Sequence, residues 1–177
     1  MDYRYHYIMD YLPTRYNATR EDWANRRAVW NFKDGKYSSN IMEEMESTIN
    51  RIVTGSKTDW IICFIPASTS SKTEARYSSL ADELYERTGV QTSLESIKKT
   101  TDTESGHIAG KSSDPTSSFF FNQGLFRGKK IILIDDVITR GRTFTQTTNK
   151  LLANGALSVI GLFVAKTINP DWNNMVA

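Results

Sequence analysis

Two adjacent carboxylates, Asp135 and Asp136, follow an apolar run at 131–134 and precede a polar segment at 139–143 that reads Thr-Arg-Gly-Arg-Thr. A loop that leads into a helix can direct several backbone N–H groups toward one anion. Gly141 would let the backbone approach that anion closely, and the threonines and arginines would add hydroxyl donors and positive charge. Carboxylates accept hydrogen bonds from vicinal hydroxyl groups. The segment therefore predicts a site for a sugar phosphate.

Two apolar runs predict the strands that position these groups. The run at 131–134 does not alternate with polar residues, which is typical of a central strand buried on both faces. A second such run spans 60–65 and is followed by a hydroxyl-rich loop at 66–71. Ligands of open α/β sheets bind at the carboxyl ends of the strands. Both loops are therefore expected at the same edge of one sheet.

The stretch from Ile131 to Thr143 resembles the PRPP-binding motif of the type I phosphoribosyltransferases. That motif consists of an apolar strand, two acidic residues, two further positions and a Thr-x-Gly-x-Thr loop. It differs from the P-loop, which ends in Gly-Lys-Ser/Thr. The alternative is a buried strand followed by a polar turn with no ligand.

The resemblance implies a role for each residue of the motif. Asp135 and Asp136 would be the catalytic pair, would hold the ribose hydroxyls, and would contribute to a Mg²⁺ site mostly indirectly, through PRPP and water. The 5-phosphate would be bound by five residues, which are Thr139, Arg140, Gly141, Arg142 and Thr143.

The loop at 66–71 corresponds to the one that holds the pyrophosphate of PRPP in this family. The resemblance assigns that role to Ala67, Ser68 and Thr69. A serine-rich connector is the alternative. A helix is expected from about 73 to 87, and Arg76 in its first turns could reach the pyrophosphate. A solvated helix face is the simpler interpretation of Arg76.

Residues 98–118 are polar and contain glycine, with almost no large apolar side chains. Long segments of this kind inside a compact domain are usually functional or disordered. The family has a mobile loop here that closes over PRPP. Lys98 and Lys99 at its base are expected to meet the pyrophosphate, and His107 and Lys111 would arrive on closure. A solvated linker is the alternative.

The first 57 residues are rich in aromatic side chains and are expected to form a short strand near Tyr3–Tyr7 and two helices. Packing accounts for most of these aromatics, although a small cap over the active-site mouth is also possible for some. The core is placed at 58–168, with a third strand at 90–97 and a last strand at 159–165. The expected fold is a single α/β domain over 1–177, with a doubly wound, mainly parallel sheet and flanking helices.

Composition limits the remaining possibilities. The net charge of +2 over 177 residues does not favour direct nucleic-acid binding. The single cysteine, Cys63, lies in an apolar run and is expected to be a small buried hydrophobe. Charged residues near the N-terminus do not fit a signal peptide, and no apolar run has membrane-spanning length. A cytoplasmic protein without a membrane partner is expected.

The resemblance thus implies a Mg²⁺-dependent phosphoribosyltransferase of nucleotide metabolism, which transfers the phosphoribosyl group of PRPP to a small nitrogenous acceptor. Within the family, the chain is most similar to the ComF-related and amidophosphoribosyltransferase-like groups. Purine-salvage members usually carry Asp where this chain has Thr139, so hypoxanthine and guanine are not favoured as acceptors. A non-catalytic PRPP sensor and a ComF-like accessory of DNA uptake are alternatives, and a homodimer is one option for assembly.

Overall fold

The computed structural model describes residues 3–100 and 114–170. Its main sheet has five strands, all parallel, in the spatial order β1-β7-β6-β2-β3. These strands are β1 (Tyr5–Tyr11), β2 (Trp60–Phe64), β3 (Gln91–Ser93), β6 (Lys130–Ile138) and β7 (Ser158–Thr167). Two short strands, β4 (Ile97–Lys99) and β5 (Phe119–Phe121), form a separate antiparallel pair. The helices are α1 (Arg20–Lys33), α2 (Ser39–Ile52), α3 (Ser70–Thr88), α4 (Gln123–Phe126) and α5 (Arg142–Ala153).

Helices cover both faces of the sheet, as the doubly wound fold class requires. Ile132 and Ile134 of β6 belong to the apolar cluster that contains the buried residues of α1, α2 and α3. Ile131 and Leu133 belong to a second cluster with α5, α4 and the β4–β5 pair. A strand buried on both sides has no polar face, so the continuous apolar run is explained. The predicted α/β fold with a parallel sheet and flanking helices is confirmed.

The connections after β2 and after β6 lead to strands on opposite sides of this neighbouring pair. The chain passes from β2 through α3 to β3 on one side, and from β6 through α5 to β7 on the other. β2 and β6 are neighbours, with Ile61 opposite Ile131 and Phe64 opposite Ile134. The carboxyl ends of two such strands form a crevice at a topological switch point, where open α/β sheets bind ligands.

The aromatic N-terminal region contributes an edge strand and two helices. β1 pairs in parallel with β7, with Tyr5 opposite Gly161, and is longer than predicted. α1 begins at a capping box, in which Thr19 and Asp22 bond each other's backbone N–H groups. Phe32 is fully buried with the main core, whereas Trp23 and Trp30 are partly exposed and contact each other edge to face.

Two predictions of local structure were wrong. The third strand does not run from 90 to 97, because the Ser93 hydroxyl accepts hydrogen bonds from the N–H and hydroxyl of Ser96 and turns the chain out of the sheet. β3 therefore ends at Ser93, and the following residues enter the separate β4–β5 pair. The helix expected from about 73 begins at Ser70, because the Thr69 hydroxyl caps it by accepting the N–H of Lys72. No helix among the described residues has the length and apolar character to cross a membrane.

Candidate functional site

Asp135 and Asp136 lie within the second half of β6 rather than after its end. β6 continues to Ile138, which pairs with Lys166 of β7. Within the strand, Asp135 Oδ1 accepts the N–H of Asp136 at 2.8 Å and Asp136 Oδ1 accepts the N–H of Val137 at 2.6 Å. Side chains that bond nearby backbone groups in this way compete with regular strand geometry.

Both carboxylates lie within reach of one cation. Consecutive side chains of a regular strand point to opposite faces. Here, one guanidinium nitrogen of Arg76, Nη1, lies 3.1 Å from Asp136 Oδ2 and 3.9 Å from Asp135 Oδ1. Lys33 Nζ lies 3.5 Å from the same Asp136 oxygen. The Tyr77 hydroxyl donates to Asp135 Oδ1 at 3.2 Å.

The interpretation of Arg76 as part of a solvated helix face was wrong. Its side chain is only 12% exposed, and its Nε donates to the main-chain carbonyl of Lys33 at 3.4 Å. The sequence did not connect Tyr77 or Lys33 with the carboxylates. No local pattern in the sequence pointed to this cluster. The contacts themselves depend on how α1 and α3 pack together.

Gly35 permits that close packing of α1 and α3. It has φ +74° in the turn after α1, and a Cβ at this position would lie 2.1 Å from the carbonyl oxygen of Ala75. The glycine is therefore required both by its left-handed backbone and by the space available. It places the end of α1, with Lys33, beside the start of α3, with Arg76.

Burial and charge shift the ionisation of the cluster. Burial, followed by the neighbouring charge of Asp136, raises the pKa of Asp135 to about 7. Burial and the charge of Asp135 likewise raise the pKa of Tyr77 well above its usual value. A carboxyl group with a raised pKa in a crevice is typical of a functional site.

The segment at 139–143 forms the turn between β6 and α5. Gly141 has φ +69° and is the N-cap of α5, so no side chain caps the first turn of this helix. The first helical hydrogen bond runs from the N–H of Thr145 to the carbonyl of Gly141 at 2.8 Å. The hydroxyl of Thr139 lies 2.8 Å from that of Thr167 and ties the loop to the end of β7.

A cavity of about 280 Å³ lies inside this loop, and Asp135 is part of its wall. Residues 139–143 also line it, together with the aromatic rings of Phe144 and Phe163. Arg140 and Arg142 are exposed at its rim. Backbone N–H groups at a helix N-terminus and nearby arginines favour an anion in this cavity. The structure therefore brings together Asp135 and the predicted phosphate-binding residues.

The loop after β2 lies at the same edge of the sheet, but its polar groups form hydrogen bonds with one another and with the first turn of α3. The N–H of Ala67 donates to the Thr73 hydroxyl at 2.9 Å, and the Thr69 hydroxyl accepts the N–H of Lys72 at 3.2 Å. Ser68 is exposed, and its carbonyl accepts a hydrogen bond from Lys99 Nζ at 3.0 Å. Ala67, Ser68, Thr69 and Lys99 therefore lie close together. However, the Ala67 N–H and the Thr69 hydroxyl already have hydrogen-bond partners within the protein.

Lys98 and Lys99 have different surroundings. Lys99 reaches the loop after β2, whereas Lys98 is about half exposed and pairs with Glu95. The assignment of both lysines to the pyrophosphate stays a prediction. His107 and Lys111 lie outside the described residues.

A larger cavity, of about 720 Å³, lies at the opposite edge of the sheet. Lys130 and Ser158, the first residues of β6 and β7, line it, and none of the predicted site residues does. Its size alone does not make it the active site, because Asp135, whose pKa is raised, and the uncapped start of α5 are at the carboxyl ends of the strands.

Asp135 and Asp136 are the residues of this site that could contribute to a Mg²⁺ site. Among residues 3–100 and 114–170, no three side chains of His, Cys, Asp or Glu form a cluster that could hold a metal. The carboxylate pair nevertheless suits Mg²⁺, which is commonly held by one or two carboxylates together with substrate phosphates and water. The residues therefore fit a metal ion that arrives with a phosphorylated substrate.

No family model matches the chain, and no curated protein matches it. Among solved structures, the chain is similar to an allosteric regulatory enzyme of purine biosynthesis, with 17% identity and a TM-score of 0.49. That match covers 77% of this chain and 30% of the other. The chain is also similar to a hypoxanthine phosphoribosyltransferase from Staphylococcus aureus in two crystal forms, with 14% identity and a TM-score of 0.45 in both. These matches cover 80% and 81% of this chain and 76% of the other.

Proposed function

We propose that the protein is a phosphoribosyltransferase that transfers the 5-phosphoribosyl group of PRPP to a nitrogen nucleophile and releases pyrophosphate. The observation that carries this proposal is the cavity in which the uncapped start of α5 faces Asp135 at a topological switch point. A phosphate cradle and a carboxylate within one small cavity match the two ends of a ribose 5-phosphate. The complete acidic-pair and Thr-x-Gly-x-Thr motif in the sequence supports the same substrate.

The start of α5 differs from the starts of the other long helices. Side chains cap three of them, α1 through Thr19, α2 through Ser38 and α3 through Thr69. α5 starts at Gly141, which has no side chain to offer. The first four N–H groups of a helix need partners from outside the helix. A phosphate bound in the loop at 139–143 would supply them and would also interact favourably with the helix dipole.

The reaction places few chemical demands on the protein. The bond between ribose C1 and the pyrophosphate oxygen breaks, and its electron pair leaves with pyrophosphate. The acceptor nitrogen forms a bond to C1 and releases its proton to solvent. Positive charge develops on the ribose ring, so Asp135 would stabilise the transition state through its charge and its hydrogen bonds to ribose hydroxyls. The fixed cradle for the 5-phosphate would orient C1 toward the acceptor.

Bound Mg²⁺ would supply positive charge to the pyrophosphate as it leaves. Asp135 and Asp136 would help to hold this ion mostly through water and the substrate, since no third metal-ligating side chain joins them among the described residues. Lys99 would add positive charge from the side of the loop after β2, where it already contacts Ser68.

The test is a screen of acceptors with PRPP and Mg²⁺. Purine and pyrimidine bases, orotate and ammonia would be supplied in turn, and pyrophosphate release would be measured. Release that depends on one nitrogenous acceptor, and that is lost in Asp135→Asn, is expected. A protein that neither binds PRPP nor releases pyrophosphate with any acceptor would contradict the proposal. The narrower assignment to a ComF-related group stays a prediction.

A second candidate function is a protein that binds PRPP without turning it over. The loop after β2 favours this candidate, because the Ala67 N–H and the Thr69 hydroxyl are already engaged within the protein. A sensor needs the 5-phosphate site and the ribose contact but not a site that stabilises departing pyrophosphate. Tight PRPP binding by calorimetry without pyrophosphate release in the same screen would identify this function.

A further inference from the structure

The acidic pair contacts basic residues that lie outside the motif. Arg76 of α3 and Lys33 of α1 both pair with Asp136 Oδ2, at 3.1 Å and 3.5 Å. The Arg76 side chain is held at two points, because its Nε bonds the Lys33 carbonyl while its Nη1 meets the carboxylates. The guanidinium is therefore part of a fixed network rather than a freely moving surface group.

The two carboxylates differ in which oxygens remain available. Both oxygens of Asp136 are engaged, Oδ1 by the N–H of Val137 and Oδ2 by Arg76 and Lys33. The contacts of Asp135 all involve its Oδ1, and its Oδ2 has no hydrogen bond or ion pair with any residue that the structure describes. Asp135 lines the cavity inside the phosphate loop, and Asp136 does not.

We propose that Arg76, assisted by Lys33, is a positioning residue that neutralises Asp136 and leaves Asp135 Oδ2 free to bind the hydroxyls of ribose. This inference rests on the proposed function and assigns unequal roles to the two carboxylates. Two close carboxylates in a partly buried site require a counter-charge. In many sites a divalent cation supplies it. Here, the guanidinium does so before any substrate arrives.

The consequence is that recognition of the ribose phosphate does not require a metal ion. Ribose 5-phosphate should bind the wild-type protein with the same affinity in Mg²⁺ and in a chelator. Mg²⁺ should matter only for PRPP, which carries the pyrophosphate. If the guanidinium charge is removed, the carboxylate pair should recruit Mg²⁺ in its place, and ribose 5-phosphate binding should become dependent on the metal.

The experiment compares Arg76→Gln, which keeps much of the side-chain size and removes the charge, with Arg76→Lys, which keeps the charge. Ribose 5-phosphate affinity is measured by calorimetry with a chelator and with Mg²⁺. Arg76→Gln should lose about tenfold or more of its affinity in chelator and regain part of it in Mg²⁺. Arg76→Lys should stay independent of Mg²⁺, because the charge remains.

Arg87→Ala is the matched control. Arg87 lies on the same helix and pairs with Glu46 and Glu83, but it does not contact the acidic pair. Its replacement also removes one positive charge from α3 and should leave both the affinity and the Mg²⁺ response unchanged. Equal behaviour of Arg76→Gln and Arg87→Ala would overturn the role of Arg76.

Thermal unfolding with Mg²⁺ alone tests the role of Arg76 without any substrate. Mg²⁺ at millimolar concentration should raise the unfolding midpoint of Arg76→Gln by about 2 °C or more and leave the wild type and Arg87→Ala unchanged. The same response in all three proteins would contradict the inference. If the wild type binds neither ribose 5-phosphate nor PRPP, the proposed function fails, whereas this measurement still decides whether Arg76 acts as the counter-ion.

Discussion

The loops after β2 and β6 leave neighbouring parallel strands at the same edge of the sheet, and each leads into a helix. The N-terminus of α3 is closed by its own residues, since Thr69 caps it and the Ala67 N–H bonds the Thr73 hydroxyl. The N-terminus of α5 begins at Gly141, with φ +69° and no capping side chain. The same strand–loop–helix topology therefore gives one loop whose polar groups bond one another and one loop whose helix N-terminus could accept an anion.

This difference indicates an order of binding. The proposed phosphate loop at 139–143 should need little rearrangement, because Gly141 already has φ +69° and no side chain caps the start of α5. The loop at 66–69 must exchange internal hydrogen bonds for ligand contacts, which costs part of the binding free energy. We expect the 5-phosphate to anchor PRPP first and the pyrophosphate end to depend on a change in the loop after β2.

The largest effect is expected from Gly141→Val. A β-branched residue strongly resists positive φ, so the turn would change shape and its N–H groups would no longer converge. The space near Gly141 is not the limit, because a Cβ there would lie 3.6 Å from Ile138 Cδ1, an ordinary contact. Affinity for both ribose 5-phosphate and PRPP should fall by about 100-fold or more, measured by calorimetry.

Gly55→Val is the control for this change. Gly55 has φ +78° and open space around its Cα, and it does not line the cavity inside the phosphate loop. It should share the backbone strain and the loss of stability but bind both ligands normally. If Gly141→Val lost only PRPP and kept ribose 5-phosphate, the two loops would have to exchange their assigned roles.

Asp135→Asn should separate binding from stability. Between about pH 4 and about pH 7, Asp135 is mostly protonated in the folded protein and mostly ionised in the unfolded chain. The reason is that its folded pKa is about 7 and its unfolded pKa is about 3.9. The free energy of unfolding should therefore fall as pH rises from about 4 to about 7. Asn does not titrate, so the variant should be more stable than wild type at pH 8 by on the order of 1–3 kcal/mol.

Urea unfolding at pH 4 and pH 8 measures this difference, which should nearly vanish at pH 4. The variant should also bind ribose 5-phosphate at least about tenfold more weakly, because it lacks the charge that accepts ribose hydroxyls. Asp82→Asn, an exposed carboxylate on α3, is the control and should change neither property. A variant of Asp135 that loses stability at pH 8 would show that this carboxylate is structural.

A smaller effect is expected when Ser68 and Thr69 are both replaced by alanine. Loss of the Thr69 cap should cost about 1 kcal/mol of stability. PRPP affinity should fall by roughly tenfold, while ribose 5-phosphate affinity should not change, because that ligand has no pyrophosphate. Ser38→Ala removes the cap of α2, away from the site, and should lower stability without changing either affinity. Equal loss of both ligands in the double variant would contradict the division between the loops.

The smallest effect concerns the far end of α5. Lys150 in its last turn pairs with Asp114 at 2.8 Å, and the hydrogen bond from Lys150 together with those from Thr116 lowers the pKa of Asp114 to about 2. This pair should stabilise the protein above about pH 4, and its contribution should be lost as the pH falls through about 2. Asp114→Asn should cost less than about 1 kcal/mol at pH 7, because the pair is about a third exposed.

The loss of stability in Asp114→Asn is measured by urea unfolding between pH 2 and pH 7. Ribose 5-phosphate affinity should not change, since the cradle is at the other end of the helix. Weaker ribose 5-phosphate binding by this variant would show that the start of α5 is less rigid than its geometry indicates.

The sequence predicted the parts of the site that depend on local chemistry. The turn at 139–143 could be predicted because Gly141 and the flanking polar residues determine its shape within a few positions. The capping box at Thr19 likewise depends only on residues within three positions of each other. The strand at 131–134 was evident from its apolar run, although the sequence did not show that it continues through the carboxylates to Ile138.

Contacts between distant elements could not be predicted in this way. Arg76 meets Asp136 through the packing of α3 on β6, and Lys33 joins them because Gly35 allows α1 and α3 to approach, which no local pattern encodes. The third strand was misplaced because a segment with β-branched residues does not reveal where a hydrogen bond to a hydroxyl turns the chain, as the bond from Ser96 to Ser93 does here. The different surroundings of Lys98 and Lys99 also depend on tertiary packing.

The pairing of β1 with β7 has a consequence for synthesis on the ribosome. β1 is the earliest strand of the described chain, and its partner β7 begins only at Ser158. At typical translation rates, β1 must wait on the order of 10 s for that partner to be made. During this interval its tyrosine-rich edge is unpaired and open to association with other chains. Chaperone contact with nascent chains should therefore persist until β7 has emerged, and ribosome-bound chains that stop before Ser158 should aggregate on release.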